Sequence, residues 1–325
     1  MQAILPTFLP DPPSMFRFGK LLSLALALIA APASAEKRIA LSFDDIPRHA
    51  GGFMTPDERA IALIAGLAEA GVEQAGFFVT TGNLDTPDGK GGEARIRAYA
   101  AAGHVIANHS HSHLWYHQTG IADYIADLDR AEAWLADIPG KRPWYRFPYL
   151  DEGRDEERRD AGRAALKERG LINGYVTIDD YDWHIDALAT QAIADGRVVS
   201  HDALRELYVE TLVGTANFYE DMAQRVLDRS PAHVLLLHET DIAALFMVDL
   251  VEALEADGWT IVTMDEAYHD PIAEIEPDTL YLGGGRLAAI AAENGANPAD
   301  LVYERTDEDE LTRLFEERVI VRDGE

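Results

Sequence analysis

Short apolar runs alternate with longer amphipathic stretches from Glu36 onward, and this alternation continues for about 230 residues. The apolar runs predict seven strands, at Arg38–Phe43, Ala75–Thr80, His104–Asn108, Trp144–Phe147, Asn173–Ile178, His233–Leu237 and Thr260–Thr263. A strand-helix alternation of this length predicts a parallel sheet, and seven strands are typical of a barrel. The predicted class is therefore α/β, with the sheet either closed or open.

Helices are predicted between these strands. The first has a start signal at Thr55, an N-cap threonine followed by Pro56 and a capping-box Glu58, and it ends at Gly71. Further helices are predicted at Glu93–Ala102, Ile121–Asp137, Asp155–Arg169, Leu188–Asp195, Asp202–Asp228 and Ile242–Asp257.

Two stretches exceed the simple strand-helix unit. The helical segment Asp186–Pro231 joins two strands that end in polar residues, so we expect it to form one wall of a substrate groove. The tail, residues 271–325, is too short for an independent domain without a disulfide or metal, and we expect it to pack on the main domain, residues 36–270. Its apolar side chains recur at helical spacing, at Leu311, Leu314 and Phe315. Gly283, Gly284 and Gly285 lack the Lys-Ser/Thr of a phosphate loop and indicate a turn.

The composition excludes several classes of function. The chain has 28 Lys and Arg against 57 Asp and Glu, a formal charge of −29, which disfavours binding to nucleic acid or to anionic lipid. It has no cysteine, so any metal must be held by His and carboxylate side chains. The acidic surface has two interpretations, solubility of an exported protein or attraction of cationic amines on a glycan.

The first 35 residues predict export. A basic segment begins at Met15, an apolar run of about ten residues follows, and an Ala-Ser-Ala sequence ends at Ala35. The apolar run is shorter than the ~20 residues that span a bilayer, so we predict a cleaved signal peptide and no stable membrane insertion. The prolines ahead of Met15 are foreign to a signal peptide, and we take Met15 as the start. The mature protein is expected in the periplasm or outside the cell.

Polar residues follow five of the predicted strands. The segments are Asp44-Asp45, His109-Ser110-His111-Ser112-His113, Arg146-Phe147-Pro148-Tyr149, Asp179-Asp180-Tyr181-Asp182-Trp183 and His238. Each alone has an ordinary structural explanation, such as a helix cap or a satisfied core histidine. Together they predict one composite site, because the carboxyl ends of parallel strands meet at the ligand-binding edge of an α/β sheet.

The histidine segment predicts a metal site. On a helical turn His109 and His113 share a face, whereas on a strand His111 would join them. A strand already ends at Asn108, so we expect a helical turn and select His109 and His113. Asp45 is the carboxylate expected to complete the set. Three protein ligands leave a position for water, as in catalytic zinc sites.

The five segments, in this order, resemble the five motifs of the NodB-homology polysaccharide deacetylases, carbohydrate esterase family 4. The resemblance covers roughly Arg38 to Met264 and includes Gly76–Asn83 as the second strand. It implies a distorted (β/α) barrel and an Asp-His-His metal centre that hydrolyses N-acetyl groups of glycans. We expect the divalent metal to be Zn²⁺.

The resemblance also implies a role for each matching residue. Asp44 would be the general base and Arg146 its partner, while Asp45, His109 and His113 would be the metal ligands. His238 would be the general acid, and Asp182 would tune a histidine. The backbone N–H of Tyr149 would donate to the oxyanion, and Trp183 would line the groove.

Other functions stay open at this point. A hydrolase of the same fold could act on O-acetyl esters or on a small non-sugar amide. Two His and one carboxylate also form the site of non-haem iron oxygenases, although those usually have a different, double-stranded β fold. A secreted carbohydrate-binding protein without turnover is the alternative from another class. Asp44 and His238 favour catalysis, because binding alone would require neither.

Overall fold

The computed structural model describes residue 2, residues 36–281 and residues 283–321. The predicted signal peptide, residues 15–35, lies outside the described residues. The strands are β1 (Lys37–Ile46), β2 (Gly76–Val79), β3 (Val105–Asn108), β4 (Lys141–Tyr145), β5 (Ile172–Asn173), β6 (Ala232–His238) and β7 (Trp259–Ile261). The helices are α1 (Pro56–Glu69), α2 (Gly92–Ala101), α3 (Ile121–Leu135), α4 (Glu156–Glu168), α5 (Asp182–Ala194), α6 (His201–Leu227), α7 (Asp241–Ala256), α8 (Met264–Ala267), α9 (Gly285–Glu293) and α10 (Glu308–Arg318). No helix of the described residues is both long enough and apolar enough to cross a membrane.

The sheet is parallel throughout and confirms the predicted α/β class. Its order is β5-β4-β3-β2-β1-β6, with β7 paired to the first residues of β1. A parallel bridge between Ile178 and Leu235 of β6 brings the chain after β5 back to the far edge of the sheet. The strands therefore close into a distorted barrel, as expected. Because helices cover the outside, the middle of β1 and nearly all of β6 are buried, and the sequences there, Ile39–Phe43 and Val234–Leu237, are nearly continuous apolar runs.

The fifth strand differs from its prediction. Only Ile172–Asn173 pair with β4, whereas Asn173–Ile178 was predicted as one strand. The backbone N–H of Gly174 still donates to Tyr145 O, and that of Thr177 donates to Val234 O of β6. The segment thus crosses from one neighbour to the other, so its hydrogen bonds are divided between two strands.

The first helix forms as predicted because its N-terminal backbone groups are capped locally. The Thr55 side chain accepts a hydrogen bond from Glu58 N, and the Glu58 carboxylate accepts one from Thr55 N. This reciprocal pair satisfies two of the donors that a helix start leaves free.

The tail residues 271–321 pack against the helices of the main domain. Leu311 and Phe315 of α10 are fully buried in the principal hydrophobic core. Val199 and Ile320 form an antiparallel bridge, and Arg197 pairs with Glu316 through two hydrogen bonds of 2.7 and 2.5 Å.

The triple glycine forms a left-handed turn ahead of α9. Gly283, Gly284 and Gly285 all have positive φ angles. At Gly285 a Cβ atom would lie 2.5 Å from the carbonyl oxygen of Val176, so the backbone approach requires glycine there. The predicted turn is therefore present, and α9, which the sequence reasoning did not predict, begins from it.

Candidate active site

The strand register brings the predicted residues to one edge of the barrel. Asp44 of β1 lies directly opposite His238 of β6 in the ladder, and both stand at the carboxyl ends of their strands. Asp45 follows immediately, with a left-handed backbone at φ 68°. That conformation sends the Asp44 and Asp45 side chains to different partners, although both residues leave the same strand end.

The histidine segment is not helical. Ser110 and His113 have left-handed backbones, with φ angles of 72° and 51°, so the predicted helical turn is wrong. Hydrogen bonds to the loop backbone hold it instead: Asn108 Oδ1 accepts from Ser110 N, and Asp127 Oδ2 accepts from His111 N. These side-chain bonds take the place of the strand-to-strand backbone hydrogen bonds that a longer β3 would have made.

His109 and His113 nevertheless converge with Asp45, while His111 does not. His111 Nδ1 is hydrogen-bonded to Thr81 Oγ1 at 2.8 Å. Asp45 Oδ1 lies 3.2 Å from His113 Nε2 and 3.6 Å from His109 Nε2, and the two Nε2 atoms are 3.2 Å apart. The predicted set of three is thus brought together.

The donor set fits a divalent metal. Ligand distances of about 2.0–2.1 Å in tetrahedral geometry place neighbouring donor atoms about 3.3 Å apart, close to the three separations in the triad. Asp45, His109 and His113 also form a group in which potential ligand atoms all lie within 4.8 Å of one another. Two imidazole nitrogens and one carboxylate oxygen suit zinc in particular.

Neighbouring groups orient these three side chains. His109 Nδ1 lies 2.9 Å from the carbonyl oxygen of Arg146, so Nδ1 carries the proton and Nε2 is left as the ligand atom. Arg48 Nη1 donates to Asp45 Oδ2 at 2.9 Å, which leaves Oδ1 to face the histidines. Burial opposes ionisation of Asp45, but the nearby His113 and Arg48 hold its pKa well below the usual value.

Asp44 is paired with a buried arginine. Arg146 Nη1 donates to Asp44 Oδ1 at 2.6 Å and to Ser42 Oγ at 2.9 Å. The guanidinium also donates to Gly174 O and packs 3.7 Å from the centroid of the Phe78 ring. Asp44 Oδ2 lies 3.6 Å from His109 Nε2. One carboxylate oxygen is therefore fixed by Arg146 while the other faces the triad.

His238 is held by Asp182 from α5. Asp182 Oδ1 lies 2.7 Å from His238 Nδ1, and Asp182 Oδ2 accepts a hydrogen bond from His238 N at 2.8 Å. Burial lowers the pKa of His238, but the charge and hydrogen bond of Asp182 outweigh it, so the pKa is raised. His238 therefore keeps its proton to a higher pH than a free imidazole.

The triad lies in a groove with a cavity of about 670 Å³, which Tyr149, Trp183 and His238 also line. Tyr149 has a left-handed backbone, with φ 58° and ψ 17°, and its ring lies against His113 at a centroid distance of 4.5 Å. No residue of 186–231, all of them described, lines this cavity, so the groove wall expected from that segment is wrong. Gly283 and Glu308 of the tail contribute instead.

Sequence reasoning missed Arg48 and Trp115 and gave Asp180, which it placed in the composite site, no role of its own. Arg48 follows Asp45 by three positions, but no motif marks it as the partner of a ligand. Asp180 supplies Oδ1 as acceptor for Asp182 N at 2.8 Å, and burial raises its pKa well above the usual value. Trp115 lines the groove beside Tyr149. A tryptophan two positions after the histidine segment was the one signal available for it.

Comparison with known proteins agrees with the family resemblance of the five sequence motifs. The family model described as polysaccharide deacetylase matches residues 31–167. The polysaccharide deacetylase Bc1974 from Bacillus cereus is similar in structure, with a TM-score of 0.52 and 21% identity over 72% of this chain and 94% of that chain. No curated protein sequence matches significantly.

Two further solved structures are similar at lower scores. The family 4 carbohydrate esterase from Streptomyces lividans, in complex with acetate, has a TM-score of 0.49 and 17% identity over 73% of this chain and 97% of that chain. BA3943 from Bacillus anthracis, a pseudoenzyme of the same family, has a TM-score of 0.48 and 15% identity over 71% of this chain and 65% of that chain. The resemblance predicted from the five motifs is confirmed, and the chain is similar to the NodB-homology polysaccharide deacetylases of carbohydrate esterase family 4.

Proposed function

We propose that this protein is a metal-dependent deacetylase that hydrolyses N-acetyl groups of N-acetylglucosamine-containing polysaccharides or oligosaccharides and releases acetate. The observation that carries the proposal is the position of Asp44. Its Oδ1 is fixed by Arg146, and its Oδ2 lies 3.6 Å from the ligand nitrogen of His109. A carboxylate that only packed in the core would not need a free oxygen at that place, and the pairing with Arg146 distinguishes Asp44 from Asp45, which approaches both histidines.

Asp45, His109 and His113 would hold the metal, for which we propose Zn²⁺. When bound, zinc supplies Lewis acidity, which polarises a carbonyl group and makes water nucleophilic near neutral pH. Asp44 Oδ2 accepts the proton of the attacking water. Arg146 keeps the Asp44 carboxylate in place throughout, because its guanidinium is itself held by Ser42 and Gly174.

His238 completes the reaction on the other side of the groove. The tetrahedral intermediate collapses only if the amine nitrogen is protonated, since an amide anion is a poor leaving group. With Nδ1 directed to Asp182, His238 presents Nε2 to the groove, and its raised pKa keeps a proton there. The backbone N–H of Tyr149 donates to the developing oxyanion. The products are acetate and a free amino sugar.

The shape of the cleft favours a chain substrate over a small amide. A second cavity of about 450 Å³ adjoins the first, and both include Asp45, Arg48 and His113 in their lining. Open space therefore continues on two sides of the metal ligands. An acetylated sugar at the metal could have neighbouring sugars on both sides, which a small amide would not occupy.

We also propose that the protein acts after export, with residues 36–270 as the catalytic domain and residues 271–325 as an extension of it. Support comes from the basic segment, apolar run and Ala-Ser-Ala sequence that end at Ala35. N-terminal analysis of exported protein should find Glu36 first. An uncleaved chain in the membrane fraction would contradict the export proposal and leave the chemistry untouched.

The function is tested by acetate release from a panel of N-acetylated and O-acetylated glycans of varied length, using zinc-loaded protein. Chelator-treated protein and the Asp44→Asn variant are the controls. We expect release from N-acetylglucosamine oligomers, lost in both controls. Acetate release from O-acetylated glycans alone would show that the substrate is an O-acetyl ester and not an N-acetyl group. Glycan binding without any acetate release would identify a non-catalytic binding protein.

A further inference from the structure

Glu239 is a buried carboxylate that follows His238 directly and takes no part in the proposed reaction. Its side chain is fully buried, and both of its carboxylate oxygens accept hydrogen bonds. Oε1 accepts from the Tyr99 hydroxyl at 2.7 Å, and Oε2 accepts from the backbone N–H of Arg48 at 2.8 Å. A buried charge is costly unless it is paired and hydrogen-bonded. The bonds of Glu239 are directed to α2 and to the segment that carries Arg48.

Arg59 of α1 holds the same segment from its other side. Arg59 Nη2 donates to the carbonyl oxygen of Arg48 at 2.9 Å and lies 3.8 Å from Glu239 Oε2. The nearer ionic partner of Arg59 is Asp241, at 3.1 Å. Glu239 is therefore not the main counter-charge of Arg59. Buried charged side chains hold both the N–H and the carbonyl group of Arg48, which fixes the backbone of that residue.

The fixed residue reaches a metal ligand through its side chain. Arg48 Nη1 donates to Asp45 Oδ2 at 2.9 Å. An arginine side chain has many rotamers, so its hold on a partner depends on where its backbone starts. Of these residues, Arg48 lines the groove that contains Asp45, whereas Glu239 does not. Two direct contacts thus link the buried Glu239 to the carboxylate of Asp45, with Arg48 between them.

We propose that Glu239 is a positioning residue for the metal site. It fixes the backbone of Arg48, and the Arg48 guanidinium in turn holds Asp45 with Oδ1 toward His109 and His113. This inference rests on the proposed function, because it requires Asp45 to be a metal ligand. Hydrogen-bond partners of metal ligands typically contribute tenfold to a hundredfold in metal affinity. Glu239 should therefore affect zinc binding although it contacts neither the triad nor the groove.

The test measures the Kd for Zn²⁺ by competition with a chelating dye, which requires no substrate. The variants are Glu239→Asp, which is one methylene too short to reach both partners, and Glu239→Gln, which keeps the length and an oxygen for Arg48 N. Arg48→Ala and the double variant with Glu239→Asp complete a mutant cycle. The matched control is Tyr99→Phe, which removes the bond to Oε1 and keeps the bond between Oε2 and Arg48 N. Thermal melts of the metal-free proteins establish that each variant is folded.

We expect Glu239→Asp to raise the Kd for Zn²⁺ by about tenfold, and Glu239→Gln to recover most of that loss. Tyr99→Phe should lower the melting temperature, because a buried carboxylate oxygen loses its partner, and leave the Kd unchanged. Arg48→Ala should also raise the Kd by about tenfold or more. Adding Glu239→Asp to it should have no further effect, since both changes act on the same contact with Asp45.

Three results would overturn the positioning role. They are an unchanged Kd in folded Glu239→Asp, an equal rise of the Kd in Tyr99→Phe, and a further rise in the double variant, which would show that Glu239 acts without Arg48. An unchanged Kd in Arg48→Ala overturns it as well, even if no Glu239 variant folds. Zinc binding by the unmutated protein separates the two proposals. Tight binding with insensitive variants rejects only the role of Glu239, whereas no binding by the unmutated protein rejects the metal-dependent function itself.

Discussion

Arg146 Nη1 lies 2.6 Å from Oδ1 of Asp44, and both side chains are almost completely buried. A buried ion pair of this kind is costly to leave half-formed, because the remaining charge is out of reach of water. The arginine has a further anchor in Ser42 Oγ, so it stays in place when the carboxylate exchanges a proton. The ion pair with Arg146 thus gives the Asp44 side chain a different partner from that of its neighbour Asp45, whose carboxylate faces the two histidines.

Substitutions of the two adjacent carboxylates, Asp44 and Asp45, should have different effects on metal content and turnover. Asp44→Asn should keep one metal per chain and lose about 10² to 10⁴ in turnover, the usual contribution of general-base catalysis. Asp45→Asn should lose metal affinity, as should His109→Ala and His113→Ala, because each removes a ligand. Elemental analysis beside acetate release for every variant makes the comparison.

A stability measurement serves as the control for Asp44→Asn. Asn still offers an oxygen to Arg146. The free energy of unfolding should therefore fall by less than the roughly 3–5 kcal/mol that breaking a buried ion pair outright costs. Loss of metal in Asp44→Asn would reverse the assignment of the two residues. Full turnover in a folded Asp44→Asn would remove the proposed mechanism.

The alkaline side of the pH profile should report on His238 and Asp182. Asp182 raises the pKa of His238, so the protonated form that the general acid requires persists to higher pH and is lost as pH rises through that pKa. In Asp182→Asn the burial of His238 remains while the carboxylate charge is gone, which lowers the pKa. A charged hydrogen bond is worth about 1.5–3 kcal/mol, so the alkaline limb of kcat should move down by about 1–2 pH units.

The matched control is metal content, which Asp182→Asn should leave unchanged because Asp182 contacts none of the three ligands among the described hydrogen bonds. An alkaline limb in the same place for both proteins would show that His238 is not the acid. A loss of zinc in Asp182→Asn would show that the variant disturbs the site more widely.

Strand positions were predictable from the sequence, whereas the local geometry of the histidine loop was not. The apolar runs in the middle of β1 and in β6 are unambiguous because both faces of the strands are buried there. His109 and His113 were chosen for a helical turn that does not exist. They converge through left-handed residues and side-chain hydrogen bonds, and a spacing of four residues does not distinguish that loop from a helix.

The walls of the groove were the least predictable part of the site. The 186–231 segment adjoins the site in sequence, but α6 packs its apolar residues into the core. Glu308 is 126 positions after Asp182, yet it borders the same cavity. Such a contact depends on how α10 packs against the barrel, and no periodicity in the tail contains that information.

A carboxyl group away from the reaction gives a pH-dependent stability test. Asp186 of α5 is buried, its Oδ1 accepts a hydrogen bond from Ile242 N at 3.2 Å, and burial raises its pKa to about 6. Because the folded pKa exceeds the unfolded value of about 3.8, the folded state binds more protons between these values and stability falls as pH rises from about 4 to 6. Above pH 6 the full cost of the buried charge is present.

Asp186→Asn removes that charge and keeps an oxygen for Ile242 N. We expect it to raise the free energy of unfolding at pH 8 by up to about 3 kcal/mol and to change little at pH 4, as measured by urea unfolding. Asp137→Asn, at an exposed position, is the control and should show no such difference. Equal stabilisation at both pH values would mean that charge burial is not the cause.

The tail should prove part of the same cooperative unit as the barrel. Phe315 is 1% exposed and lies in the principal core, whereas Leu314, one residue earlier on α10, is only partly buried. Phe315→Ala should cost about 3–5 kcal/mol of unfolding free energy, and Leu314→Ala clearly less, because the larger cavity forms where no water or side chain can fill it. Urea unfolding followed by far-UV and near-UV circular dichroism should give one coincident transition for both variants. A separate early transition that leaves the barrel signal intact would show that the tail is an independent element, and an unaffected midpoint in Phe315→Ala would show that α10 contributes nothing to the core.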